Sequence, residues 1–286
     1  MNLCDLKTIK DIMTMFGLTF RKEFGQNFLI NPDVVNNIAD YCCTDPSSTI
    51  LEIGPGIGSL TSCLAERYEQ VVALEIDRGL IPVLKFTLGS YDNVRVINED
   101  VMKTDLPTLL APYFEKGSLS VCANLPYYIT TPILMKLIES ELPFDYITVM
   151  VQAEVADRLC AKAGTSDYGA ITAVIAYYGQ AEVLFNVDAD NFVPPPKVTS
   201  SVVRIRLHKE KPYHPQSEKL LMRTVKAAFE QRRKTLPNAL SAAFSELDKA
   251  TLTACVEECG FPATIRGEKL DIADFVRLSD AIAAKL

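Results

Sequence analysis

In the first half of the chain, short runs of β-branched and aliphatic residues alternate with longer stretches of helical apolar spacing. The runs fall at 49–53, 71–75, 94–97, 119–123 and 146–151, about 20 to 27 residues apart. Such spacing predicts repeated strand–helix units, hence a mostly parallel sheet covered by helices on both faces. Two later runs, 181–187 and 198–207, read as a closing hairpin-like pair. The second alternates Val203, Arg204, Ile205, Arg206 and Leu207, the pattern of an edge strand. A polar stretch with two prolines, His208-Lys-Glu-Lys-Pro-Tyr-His-Pro215, reads as a linker. Beyond it the spacing turns helical: Leu221, Val225, Phe229; Leu236, Leu240, Phe244, Leu247; Leu252, Val256, Cys259 before a capping Gly260; and Ile272, Phe275, Leu278, Ile282. The expected organisation is an α/β domain over 1–208 and a small all-α domain over 209–286.

At the start, Leu3, Leu6, Ile9, Met13 and Phe16 mark an amphipathic helix. Asp5, Lys7, Lys10 and Asp11 interrupt the apolar positions, so this is no secretory signal. No run approaches the roughly 18 apolar residues of a membrane span. A cytoplasmic location is expected. The 286 residues are 48% hydrophobic and 23% charged, as in ordinary globular proteins. The eight cysteines form no C-x-x-C pair and there are only two histidines, His208 and His214. Free thiols in a reducing compartment are expected, and no metal site. The net charge of −7 argues mildly against a nucleic-acid partner, but it is unevenly spread. Between positions 197 and 234 eleven basic residues face three acidic ones, a local +8 against −15 elsewhere. A basic segment on an acidic body suits RNA, and a solvated helix face explains it nearly as well.

The first strand ends in Glu52-Ile-Gly54-Pro-Gly56-Ile-Gly58 and opens a helix. Glycines there permit a tight turn and close approach of backbone to a ligand. A dinucleotide fingerprint would need glycine at 59, where Ser59 stands. The G-x-G-x-G pattern instead resembles that of class I methyltransferases, which implies a Rossmann-like, seven-stranded mostly parallel sheet and S-adenosylmethionine as cofactor. Glu75 ends the second strand, placed to accept ribose hydroxyls. Asp100 follows the third, placed to accept from an adenine amine, and Asn124 follows the fourth. Polar groups at successive strand ends line one crevice.

Asn124-Leu-Pro-Tyr127 carries the chemistry. An aromatic exocyclic amine is a poor nucleophile because its lone pair is delocalised into the ring. Two acceptors on its hydrogens, the Asn124 side-chain oxygen and the Leu125 carbonyl, draw the nitrogen towards a tetrahedral shape. Pro126 restricts the backbone before it, and Tyr127 stacks on an extruded base. A sulfonium leaves as a neutral thioether, so no tuned general base is needed. That agrees with the lack of histidine before position 208.

On these residues, together with Phe24-Gly-Gln-Asn-Phe-Leu29, Asn191-Phe-Val-Pro-Pro-Pro-Lys-Val198 and Phe229-Glu-Gln-Arg-Arg-Lys-Thr-Leu236, the chain resembles the KsgA-type small-subunit ribosomal RNA adenine dimethyltransferases from about residue 20 to its end. The resemblance implies dimethylation of N6 of two adjacent adenosines near the 3′ end of 16S rRNA. It implies cofactor contacts from Asn27, Leu29, Gly54, Gly56, Glu75, Asp100 and Asn124, with Glu52 organising the pocket. Phe192 is implied as a second aromatic face opposite Tyr127, on a loop stiffened by Pro194 to Pro196. For RNA docking we expect Arg204, Arg206, Arg223, Arg232, Arg233 and Lys234 to meet phosphates; Arg232 and Arg233 serve equally well as partners of an internal acid. The substrate is expected to be 16S rRNA in an immature small subunit, met by a monomer that holds the subunit until methylation releases it. Alternatives are a 23S rRNA methyltransferase of the macrolide-resistance type, disfavoured by Gly54-Pro-Gly56 and Asn124-Leu-Pro-Tyr127, and a non-catalytic assembly factor, which would not need the intact site. A nicotinamide dehydrogenase is disfavoured by Ser59. Ala163 and Ala170 depart from the family pattern in a loop expected to border the RNA.

Overall fold

The computed structural model describes residues 1–20, 25–114 and 117–286. Helix α1 (Leu6–Met15) precedes the short strand β1 (Phe28–Leu29) and helix α2 (Pro32–Cys42). Strand–helix units follow: β2 (Thr49–Ile53) and α3 (Ser59–Ala65), β3 (Gln70–Leu74) and α4 (Ile81–Thr87), β4 (Val94–Ile97) and α5 (Leu106–Leu110), β5 (Leu119–Asn124) and α6 (Thr130–Glu139), β6 (Phe144–Gln152) and α7 (Ala153–Leu159). Helix α8 (Ala170–Tyr178) leads into β7 (Gly179–Val187), β8 (Phe192–Val193) and β9 (Ser200–Leu207). Helices α9 (Glu218–Glu230), α10 (Leu236–Ala243), α11 (Lys249–Glu258) and α12 (Ile272–Ala283) complete the order.

The main sheet has seven strands in the order β4-β3-β2-β5-β6-β9-β7. Strands β2 to β6 pair in parallel, and β9 runs antiparallel to β6. Every residue of β2 is buried, as expected of a strand with helices on both faces. From β2 the chain builds outward through β3 to β4, then returns to β5 on its other side. That reversal opens a crevice at the carboxyl ends of β2 and β5, where such sheets take ligands.

One expectation needs correction. The 198–207 run is not an edge strand: β9 lies between β6 and β7, and β7 is the edge. Its alternating arginines report a partly solvated face and not an open ladder. Arg204 reaches across both neighbours, pairing with Glu182 of β7 at 2.7 Å and lying 5.3 Å over the Tyr146 ring of β6. Helix α1 is present and capped by Asp5, but it buries Ile9, Ile12 and Met13 and leaves Leu6 40% exposed.

Among the described residues no helix is long and apolar enough to cross a membrane. The chain forms two compact units: Met1–Ala156 with Glu182–Lys209, and Asp157–Ala181 with Glu210–Leu286. Segment 157–181 therefore groups with the C-terminal helices. Tyr168 packs edge-on to Phe229, and the Tyr177 hydroxyl donates to Glu218 at 2.8 Å. Gly260 has φ +86° behind α11, the left-handed cap its position suggested.

Candidate active site

A pocket opens over the tips of β2 and β3, lined among others by Asn27, Leu29, Glu52, Gly54, Gly56, Glu75, Asn124 and Pro126. The glycine turn makes its floor. Gly54 and Gly56 have φ of +71° and +61°, where L side chains are strained. A Cβ on Gly54 would meet nothing within 4 Å, whereas one on Gly56 would sit 3.1 Å from the Phe28 ring. Gly54 thus leaves space for a ligand, and Gly56 leaves space for β1.

Strand β1 is what brings the N-terminal motif to the site. It pairs antiparallel with β8, matching Leu29 to Phe192. From there Asn27 reaches Asn124: the Asn124 side-chain nitrogen donates to the Asn27 carbonyl at 3.1 Å. That bond occupies the Asn124 side-chain nitrogen. Sequence spacing carries no sign of this contact, which spans 97 residues. Phe24 of the same motif lies outside the described residues.

Glu75 is buried, and each of its carboxylate oxygens accepts a backbone N–H, from Gly56 at 3.2 Å and Asp77 at 2.8 Å. Burial pushes its carboxyl up to about 7 against the opposing pull of those amides. Glu52 is 1% exposed, and burial pushes it up to about 8, with the Glu75 charge adding to the rise. The Thr61 hydroxyl works the other way. Glu52 Oε2 and Thr61 Oγ1 both lack a hydrogen-bond partner among the described residues, so Thr61 acts as a nearby dipole and not through a formed bond. Asp77 went unremarked in the sequence. It is buried, accepts from Gln26 at 3.0 Å and caps the turn at Gly79, fastening the N-terminal motif to the tip of β3.

Other expected site residues stand apart from the pocket lining. Asp100 follows β4 at the far edge of the sheet and accepts from the Met102 N–H at 2.9 Å. Leu125 is 1% exposed. Tyr127 is half-buried, with its hydroxyl 2.5 Å from Ser200 Oγ. Phe192 is the clearest departure. At 3% exposed it packs in the core with Leu29, Val35 and Ile38, so it presents no open ring opposite Tyr127.

The basic residues divide. Arg204 is paired with Glu182, Arg223 with Glu246 at 2.9 Å, and Arg232 with Glu268 at 3.1 Å. Arg223 also bonds the Ala243 carbonyl and lies over the Phe244 ring, and Arg232 bonds the Ser166 carbonyl. Arg206, Arg233 and Lys234 are exposed. Among the described residues no group of three or more His, Cys, Asp or Glu side chains could hold a metal ion.

The family profile described as "Ribosomal RNA adenine dimethylase" matches residues 17–283. The chain belongs to that family. It is 44% identical over 286 residues to the Ribosomal RNA small subunit methyltransferase A of Lachnoclostridium phytofermentans, covering 99% of each chain. It is 47% identical over 277 residues to the protein of the same name from Bacillus cytotoxicus, covering 96% of this chain and 94% of that one. Among solved structures, a dimethyladenosine transferase from Plasmodium falciparum superposes with a TM-score of 0.75 at 26% identity, over 88% of this chain and 95% of the other. The sheet is that of a class I S-adenosylmethionine-dependent methyltransferase.

Proposed function

We propose that the chain binds S-adenosylmethionine over β2, β3 and β4 and moves methyl groups to N6 of two adjacent adenosines near the 3′ end of 16S rRNA, within an immature small ribosomal subunit. The observation that carries this is the Asn124–Asn27 bond. It engages the side-chain nitrogen of a residue that lines the same pocket as the glycine turn, which supports the Asn124 side-chain oxygen as the acceptor for an amine.

The residues present fit the cofactor. Gly54 leaves the turn open, Glu75 closes the tip of β3 for ribose hydroxyls, and Glu52 offers a buried oxygen without a partner among the described residues. Asp100 follows β4, two strands from β2, and is assigned to the adenine amine by the family resemblance, since it stands outside the pocket lining. When bound, the cofactor supplies an electrophilic sulfonium methyl group. The Asn124 oxygen and the Leu125 carbonyl accept the two amine hydrogens and localise the nitrogen lone pair. Pro126 restricts Leu125 to an extended backbone. Tyr127, steadied by Ser200, stacks on the extruded base. With Phe192 in the core, stacking rests on Tyr127 alone. Rate enhancement comes from alignment and from acceptors facing the charge that develops on nitrogen. After one transfer the monomethylated amine rotates to offer its remaining hydrogen.

The helical unit formed by Asp157–Ala181 and Glu210–Leu286 supplies RNA contacts through Arg233 and Lys234, and Arg206 adds one from the sheet unit. An rRNA substrate goes with a cytoplasmic location and action as a monomer that occupies the subunit until methylation is complete. Asn124→Ala should abolish methylation of immature small subunits, read by mass spectrometry of the RNA, while cofactor binding largely survives. A near-native rate would refute the assignment of Asn124.

A further inference from the structure

Lys136 sits on α6, half-buried. It donates to the Met102 carbonyl at 3.0 Å and to the Thr104 carbonyl at 2.8 Å. These two carbonyls belong to the turn that begins at Asp100. The Asp100 carbonyl accepts from Lys103 N at 2.8 Å, Thr104 N at 3.0 Å and Thr104 Oγ1 at 2.9 Å. Its carboxylate accepts from Met102 N at 2.9 Å. The turn is thus a single helical coil whose outward carbonyls are gathered by one cation from another element. Lys103, the cation nearest the Asp100 carboxylate at 3.8 Å, is 86% exposed and exerts little hold.

The other end of α6 is anchored at the amine-binding turn. The Pro126 carbonyl accepts from Ile129 N and from Thr130 Oγ1, each at 3.2 Å. Helix α6 is therefore a stiff strut, fixed at one end to Asn124-Leu-Pro-Tyr127 and at the other, through Lys136, to the Asp100 turn. From Thr130 to Lys136 it rises about 9 Å at the helical repeat.

We propose that Lys136 is a positioning residue: it sets the Asp100 turn, and so the cofactor's adenosine end, relative to the turn that grips the target amine. This rests on Asp100 as acceptor for the cofactor's adenine amine. An ammonium bonded to two carbonyls makes charge-assisted hydrogen bonds that neutral side chains do not replace.

Full-length Lys136→Met and Lys136→Arg variants test the tie, with Asp100→Ala beside them. Lys136→Met should raise KM for S-adenosylmethionine roughly tenfold, the loss expected for about one strong hydrogen bond. Its kcat and its KM for the small subunit should stay within about twofold. Lys136→Arg should recover most of the cofactor affinity, and amide exchange at 101–104 should quicken in the Met variant only. An unchanged cofactor KM in Lys136→Met would overturn the proposal. So would a fall in kcat and a rise in KM for both substrates together with a lower Tm, the mark of a packing role. If Asp100→Ala leaves cofactor KM unchanged, the Asp100 assignment falls whatever Lys136 does. If Asp100→Ala raises it and Lys136→Met does not, only the tie falls.

Discussion

Glu52 is the penultimate residue of a wholly buried strand, with one carboxylate oxygen lacking a partner among the described residues, and a charge there is costly. Its carboxyl lies raised to about 8 from an ordinary value of 4.5, chiefly through burial. A carboxyl raised in the folded state binds its proton more tightly there than in the unfolded chain. Its contribution to stability is complete below about pH 4.5 and is lost as pH rises through 8. Glu75 follows the same sign, its contribution complete below about pH 4.5 and lost as pH rises through about 7. Wild-type Tm, measured without cofactor, should therefore fall between pH 5 and pH 8. Glu52→Gln, which keeps the shape without the titration, should flatten that fall and exceed wild type in Tm at the alkaline end. Equal slopes for both proteins would refute the buried-carboxyl account. At this scale the sequence was informative about identity: Glu52, Gly54, Gly56, Glu75 and Asn124 all reach the pocket lining. It was silent on partners, because a bond such as Asn124 to Asn27 depends on distant segments meeting.

Among elements, the unit of β2, glycine turn and α3 is the one on which the site depends. Helix α3 has only seven residues and starts from Gly58 in the left-handed region, without a side-chain cap. Its placement comes from packing: Ile57 is buried beside Ile9, Leu80 and Leu84, and Ser59 Oγ donates to the Leu3 carbonyl at 2.9 Å. The N-terminal helix thus supports the cofactor turn. Gly56→Ala should lower stability by about 1–2 kcal/mol for the left-handed backbone, with a further loss from the 3.1 Å approach to Phe28. Calorimetry should also report weaker S-adenosylmethionine binding. Unaltered stability and affinity would show that the turn adjusts freely. The central strands were legible because burial on both faces leaves continuous apolar runs. The place of β9 was not, since an alternating pattern reports which face is wet and not which neighbour lies alongside.

For the molecule as a whole, charge is distributed against the net sign. The chain carries −7 yet gathers eleven basic residues between 197 and 234. Of the six expected to meet phosphate, Arg204, Arg223 and Arg232 are paired within the chain, and Arg206, Arg233 and Lys234 are exposed. Lys234→Ala should weaken binding to small subunits and lower the salt slope of log K by about one. Arg232→Ala should leave that slope unchanged and cost about 1 kcal/mol or less of stability, as its partly exposed pair with Glu268 implies. Titration of binding across salt concentrations separates the two, and an equal change in slope would refute the division.

Periodicity by itself determined a mostly parallel α/β sheet followed by a helical segment, and the residues at its central strand tips. Those properties are local: a burial pattern or a tight turn is written in consecutive residues. Tertiary structure alone decided that segment 157–181 packs with the C-terminal helices, that Phe192 lies in the core, and which arginines are already engaged. Each of these turns on contacts between residues far apart in the chain, where the space left by neighbours and not the residue's own character selects the outcome.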